Sequence, residues 1–406
     1  MIRVFIILSC LALGLLHAQE PATDSANRPV LKALPIGGDD DITSQPLPDE
    51  VVSMPEETPA VAADETNEAP AAIVIDEPAE IASPSSTTAS NAKPEGIEAL
   101  RLQVFLDRSN FGPGVIDGRM GQFGELAVRS WNEVNGHPLD DWSAVMLAAK
   151  SAVPEPLITV TVPNVASKWV NPSLPTKRSL QASAKRMSYR SIAEFMAERY
   201  HSDVPYLTEL NKGMKIQSLK PGDSLIVPNV EPFEIETLTG AKYEADATLS
   251  ERHVVVNTKI NQARIFEAAP AALVVDESDD GSAPIAKTKA NRALVASFPI
   301  TPGKPKFIKF GTWKLLNMIE LPYWRYDQQL LDTGKRSANA INIPPGPNSP
   351  VGVIWNGTSK PGIGMHGTSD PETIGRARSA GCIRLANWDA IRLPNLIRPG
   401  ATVEIR

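Results

Sequence analysis

The chain is poor in cysteine and histidine and carries no excess of positive charge, and each shortage excludes something. Only two cysteines, Cys10 and Cys382, occur in 406 residues, so no disulfide framework can hold the fold together. Four histidines lie beyond residue 18, and none has zinc-ligand spacing with another. No metal and no cofactor is therefore expected. The net charge is −7, whereas a nucleic-acid partner would call for a basic face. Beyond the N-terminus no stretch is long and apolar enough to span a bilayer.

Residues 1–18 read as a signal peptide. Arg3 supplies the positive end, an apolar run follows, and Ala18 offers a small cleavage position. The protein is thus expected to be exported, with a membrane as partner only if this segment stays on as an anchor. Removal of the segment takes Cys10 with it and leaves one thiol. Residues 19–95 are rich in Pro, Ala, Glu, Asp, Ser and Thr and contain 16 acidic against 3 basic residues. Such a segment buries too little apolar surface to offset its chain entropy, so it is expected to be a disordered acidic linker.

The remaining thiol stands in an informative setting. In an exported protein an unpaired cysteine calls for an explanation, either a reactive thiol or an intermolecular bridge. Cys382 follows His366 by 16 positions, with glycines beside both. A Cys-His pair is the minimal apparatus for acyl transfer, because the imidazole takes the thiol proton and the thiolate attacks a carbonyl. Glycine before the cysteine lets a carbonyl approach backbone N–H groups. Taken alone, the pair is equally a buried, inert cysteine and an unrelated histidine.

The flanking residues add to this. The run Gly364-Met365-His366-Gly367-Thr368, Ile374-Gly375 and Ser379-Ala380-Gly381-Cys382-Ile383-Arg384-Leu385, followed by Asn387 and Asp389, closely resembles the signature of the YkuD-type L,D-transpeptidases of bacterial cell walls. Upstream, Pro344-Pro345-Gly346-Pro347-Asn348-Ser349-Pro350-Val351-Gly352 is similar to that family, and so is the close, Pro399-Gly400-Ala401-Thr402-Val403-Glu404-Ile405. The resemblance implies a mainly-β catalytic domain over 252–406, a β-sandwich with one helix. Independently of it, residues 254–256, 263–266, 294–298, 313–315, 351–355 and 402–405 have the composition and turn spacing of short strands. Asn387 is expected to cap the helix. Asp276 to Gly281 lacks the acidic close of a calcium loop and reads as a solvated hairpin tip.

Residue roles follow from the resemblance as expectations. Cys382 is the nucleophile, His366 its base, and the Gly367 carbonyl orients the imidazole. The N–H groups of Gly381 and Cys382 form the oxyanion hole, Arg384 pairs with a substrate carboxylate, and Ser379 contacts substrate or fixes its turn. The implied partners are peptidoglycan stem peptides, and the implied place is the periplasm or wall of a bacterium. One residue departs from the pattern. Many members carry histidine immediately before the Gly-Cys pair, where this chain has Ala380. Two alternatives stay open: an L,D-carboxypeptidase or wall-peptide hydrolase using the same pair, and an inactive wall-binding scaffold. A serine-type transpeptidase is not indicated, since its Ser-x-x-Lys is not evident.

Two small modules precede this domain. Over 96–150, Ile97, Leu100 and Val104 share one helical face and Ala127, Trp131 and Val134 another. With Asp117-Gly118 and Gly121 between them, the segment is similar to three-helix peptidoglycan-binding domains. A helical spacer that binds nothing fits the same pattern. Residues 151–186 read as a linker with an extended piece at 157–162. Over 187–230, helical faces at Ile192, Phe195, Met196 and Tyr200 and then at Tyr206, Leu207 and Leu210 precede Lys220-Pro221-Gly222-Asp223 and a short apolar strand. This resembles a LysM module, a small α+β unit for glycan strands. The family's Gly-Asp-Thr-Leu opening does not precede Ile192, so glycan binding stays open. The chain as a whole is expected to be multidomain.

Overall fold

Local sequence signals set the upstream helices. The computed structural model describes residues 91–267, 293–304, 307–327, 329, 337–376 and 381–406, with the backbone of 271–275 and 286–290. The expectations for 1–18, for most of 19–95 and for Asp276 to Gly281 lie outside the described residues, as do those for Ser379 and Ala380. No helix among the described residues is long and apolar enough to cross a membrane.

Helices α1 (Gly96–Arg108), α2 (Gln122–Asn135) and α3 (Trp142–Ala152) come first. The Asp141 side chain caps α3 by accepting from Ala144 N, and Gly136 ends α2 in the left-handed conformation at φ 72°. Leu100, Val104 and Ala127 are buried, but Ile97 and Val134 are 50% and 48% exposed. These two lie where each apolar face runs out into solvent. The turn after α1 is built on Gln103, whose amide donates to Asp117 Oδ1 and accepts from Gly118 N.

The segment 151–186, read above as a linker, is structured. Strand β1 (Leu157–Thr161) pairs antiparallel with β2 (Ser224–Pro228), with Leu157 opposite Pro228. Short helices α4 (Ala166–Trp169) and α5 (Arg178–Gln181) follow β1, and then α6 (Ile192–Arg199) and α7 (Val204–Leu210). Ser191 caps α6 through Glu194 N and Asp203 caps α7 through Tyr206 N. Proline and serine make 151–186 look open, yet Val162, Ala166 and Leu174 are buried. Long-range contacts override local composition here.

Downstream the chain is mainly β. Strands β3 (His253–Asn257), β4 (Gln262–Phe266), β5 (Ala271–Val275), β6 (Ala286–Ala290), β7 (Leu294–Pro299), β8 (Gly311–Glu320), β9 (Trp324–Tyr326), β10 (Ile341–Ile343), β11 (Ile354–Thr358), β12 (Gly364–His366), β13 (Ile383–Arg384) and β14 (Thr402–Ile405) appear in turn, with α8 (Asn387–Ala390) before β14. Eight of them form one curled sheet in the order β13-β12-β11-β8-β14-β3-β4-β7. This corrects the expected two-layer sandwich. The ten-residue β8 pairs with β14 along Gly311 to Lys314 and with β11 along Leu315 to Glu320, so it passes from one half of the sheet to the other. Two pairings, β14 with β3 and β12 with β13, are parallel. The strand expected at 351–355 begins only at Ile354, because Gly352 turns the chain at φ 60°.

The upstream helices dock on this sheet. Gly112 N donates to Ser297 O at 2.8 Å, and Ser297 N donates to Asn110 O at 3.0 Å, which covers edge strand β7. One buried apolar cluster contains Leu100, Phe195, Leu225, Val353 and Trp388 together. A buried ionic contact joins them too: Arg392 donates to Asp107 Oδ2 at 2.7 Å, and His201 Nδ1 lies 3.1 Å from Asp107 Oδ1.

Candidate active site

Strand β12 carries one of the two reactive candidates, and the other immediately precedes its neighbour β13. In the parallel pair β12 and β13, His366 stands opposite Arg384. Cys382 precedes β13 by one residue, level with Gly364. His366 and Arg384, paired in register, share one face of the sheet, and Cys382 lies in the bend that leads into β13. The sheet thereby sets His366 beside Arg384, with Cys382 two residues before that arginine.

The imidazole is fixed at one end. His366 Nδ1 lies 2.7 Å from Gly367 O. A carbonyl can only accept, so Nδ1 carries the proton and Nε2 keeps its lone pair. Trp355, opposite His366 on β11, stacks on the ring at 5.7 Å between centroids and 19° between planes. Burial holds the imidazole down at about 3, the positive charge of Arg384 adds to this, and the Gly367 bond works against it. His366 is therefore neutral throughout the neutral pH range.

Cys382 is 8% exposed, and its thiol donates to Gly362 O at 3.4 Å. Burial pushes the thiol up to about 11, although a backbone hydrogen bond and Arg384 pull it down. At neutral pH the thiol is thus protonated and the imidazole neutral. The buried cluster around Cys382 includes Val351, Trp355 and Trp324, and also Leu174 and Met187 from upstream. Met187 N donates to Pro345 O at 2.8 Å, and Asn348 N donates to Met187 O at 3.0 Å.

Other expected site residues are placed as follows. Gly381 is buried, and a Cβ added at Gly303 would meet its Cα at 2.5 Å, so the two backbones touch. Arg384 is buried, and its backbone exchanges two hydrogen bonds with Thr301. Asn387 does not cap α8, whose first flanking residue is Ala386 without a side-chain cap. Its amide is engaged elsewhere: Nδ2 donates to Glu198 Oε1 at 2.8 Å, and Oδ1 accepts from Val353 N at 3.2 Å. Sequence reasoning missed Trp355, Met187 and Glu198, because nothing local ties them to the Cys-His pair.

Among the described residues no group of three or more His, Cys, Asp or Glu is arranged to hold a metal. Comparison with known proteins gives a family for the C-terminal part. Residues 275–405 match the L,D-transpeptidase catalytic domain family, YkuD. The protein of Bacillus licheniformis that bears the name L,D-transpeptidase YkuD is 42% identical over 65 residues, which is 16% of this chain and 39% of that protein. Its Bacillus subtilis namesake is 43% identical over 65 residues, 16% and 40% of the two chains. This chain thus spans about two fifths of the length of the curated relatives it matches. Among solved structures, an L,D-transpeptidase from Mycobacterium smegmatis aligns at TM-score 0.26 and 17% identity, over 38% of this chain and 58% of that one. The C442S mutant of an Enterococcus faecium L,D-transpeptidase aligns at TM-score 0.25 and 14% identity, over 38% and 50%.

Proposed function

We propose, from the YkuD-family L,D-transpeptidase catalytic domain at residues 275–405, that this protein is a cysteine-dependent L,D-transpeptidase acting on peptidoglycan stem peptides. The observation that carries the reading is the His366 bond to Gly367 O. It leaves Nε2 as a base on the strand beside Cys382.

The reaction then balances as two acyl transfers. His366 Nε2 takes the thiol proton as Cys382 Sγ bonds to the penultimate carbonyl of a donor stem. The C–N bond to the terminal residue breaks, and the protonated imidazole returns its proton to the leaving amine. The side-chain amine of a second stem attacks the thioester, His366 accepts that amine's proton, and the thiol is regenerated. The N–H groups of Gly381 and Cys382 are the proposed oxyanion donors. Arg384 is proposed to favour anionic substrate near the pair. The helical and LysM-like modules are proposed to hold the enzyme against its polymeric substrate outside the cytoplasm.

The test is incubation of the full-length protein with a tetrapeptide-stem muropeptide, beside Cys382→Ala. Products are separated by chromatography and the protein is weighed intact. Cross-linked dimers that vanish in the variant support the proposal. Tripeptides alone would convert it to a carboxypeptidase. No product and no adduct on Cys382 would leave a wall-binding scaffold and turn attention to Ala380.

A further inference from the structure

His366 is oriented by the Gly367 carbonyl, which raises the question of what orients Gly367. A Cβ added at Gly367 would lie 2.0 Å from Asn387 Oδ1, and one at Gly352 would lie 2.1 Å from the same atom. The Asn387 side-chain oxygen therefore occupies the space that a side chain on either glycine would need. Its Oδ1 accepts from Val353 N at 3.2 Å, and its Nδ2 donates to Glu198 Oε1 at 2.8 Å and to Pro347 O at 3.3 Å. Glu198 Oε2 in turn accepts from the Tyr189 hydroxyl. Both Glu198 and Asn387 are buried.

From this contiguous path we infer that Glu198, on α6 and outside the catalytic-domain match, is a positioning residue for His366, acting through Asn387 and the Gly367 peptide. The inference rests on the reading of His366 as the base. A carboxyl in this interior is costly. Burial pushes it up to about 8 even with Tyr189 and Asn387 bonded to it. An apolar side chain would fill the same space without that cost, so a purely packing role does not account for glutamate here. What glutamate supplies is an acceptor that fixes which way the Asn387 amide faces. That orientation sets where Gly367 O can meet Nδ1.

The experiment compares the full-length wild type with Glu198→Met and Glu198→Gln, each labelled with 15N-histidine. Methionine preserves volume and removes the acceptor, whereas glutamine keeps a carbonyl for Asn387 Nδ2. The readouts are the His366 tautomer from ring nitrogen shifts and the rate of acyl transfer per folded molecule. The expected result is an Nδ1–H tautomer in wild type and E198Q. In E198M the tautomers should mix, with a rate loss on the order of 10²-fold, the scale of an ångström misplacement of a reacting group. An E198M protein with the wild-type tautomer and rate overturns the inference. Should E198M not fold, Tyr189→Phe, which removes the hydroxyl that fixes the Glu198 carboxyl, is read by the same criteria. Should the wild type turn over no stem peptide, the proposed function fails, while the tautomer comparison still decides the positioning role.

Discussion

Trp355 lies almost parallel to His366, its cross-strand partner, with ring centroids 5.7 Å apart. The indole closes one face of the imidazole to water, and burial is the largest influence holding that ring near 3. Trp355→Ala should let the imidazole rise toward its ordinary value of about 6.5. Its proton would then occupy Nε2 in acid. Wild-type acyl transfer should hold from neutrality down to pH 5.5, whereas the variant should lose about tenfold over that interval. A pH–rate profile of each protein decides it, and parallel profiles would sink the idea.

The thiol should behave as a weak acid. With Cys382 pushed up to about 11, only a small thiolate fraction exists at pH 7, and it grows about tenfold per pH unit. Iodoacetamide labelling, assigned to Cys382 by peptide mapping, should still be climbing between pH 9 and 10. An ordinary thiol near 8.5 would have levelled off there. A plateau below pH 9 would contradict the burial argument.

The Asp107 contact should matter to stability. Burial pushes that carboxyl up, but Arg392 and His201 outweigh it and hold it well below the usual range. Its folded-state value is depressed, so its contribution is present above about pH 4, the unfolded value, and is lost as pH falls. Arg392→Met should strand the buried charge and cost about 3–5 kcal/mol in urea unfolding at pH 7. The double variant Asp107→Asn with Arg392→Met should recover most of that. No recovery in the double variant would show that the arginine acts by packing alone.

Met187 should shield the nucleophile. It is buried in one cluster with Cys382, and its backbone is bonded to Pro345 and Asn348. Met187→Ala should cost about 2–5 kcal/mol and raise the rate of Cys382 alkylation several-fold at fixed pH. Unchanged alkylation in a destabilised but folded variant would remove Met187 from the wall of the site.

Several of these relationships were legible in the sequence and several were not. The neighbouring glycines and the order of motif residues point to His366 and Cys382, and the parallel pairing of β12 and β13 sets His366 opposite Arg384, two residues after that cysteine. Composition and turn spacing place β3, β4, β7, β14 and part of β8, but no local signal reveals that β8 is long enough to join both halves of the sheet. The Asn387 reading failed for a related reason. A cap is a local device, and this amide is consumed by Glu198, distant in sequence. Proline and serine in 151–186 suggest an open connection, since composition does not report the pairing of β1 with β2.

The seam between Met187 and Pro345 bears on how such proteins can be assembled over evolution. Leu174 and Met187 line the surroundings of Cys382, yet they precede the catalytic-domain match at 275–405. A chain with a different upstream segment would have different walls around Cys382 as well. Exchange of the upstream segment at this seam would therefore change the surroundings of Cys382 as well as what the domain is attached to.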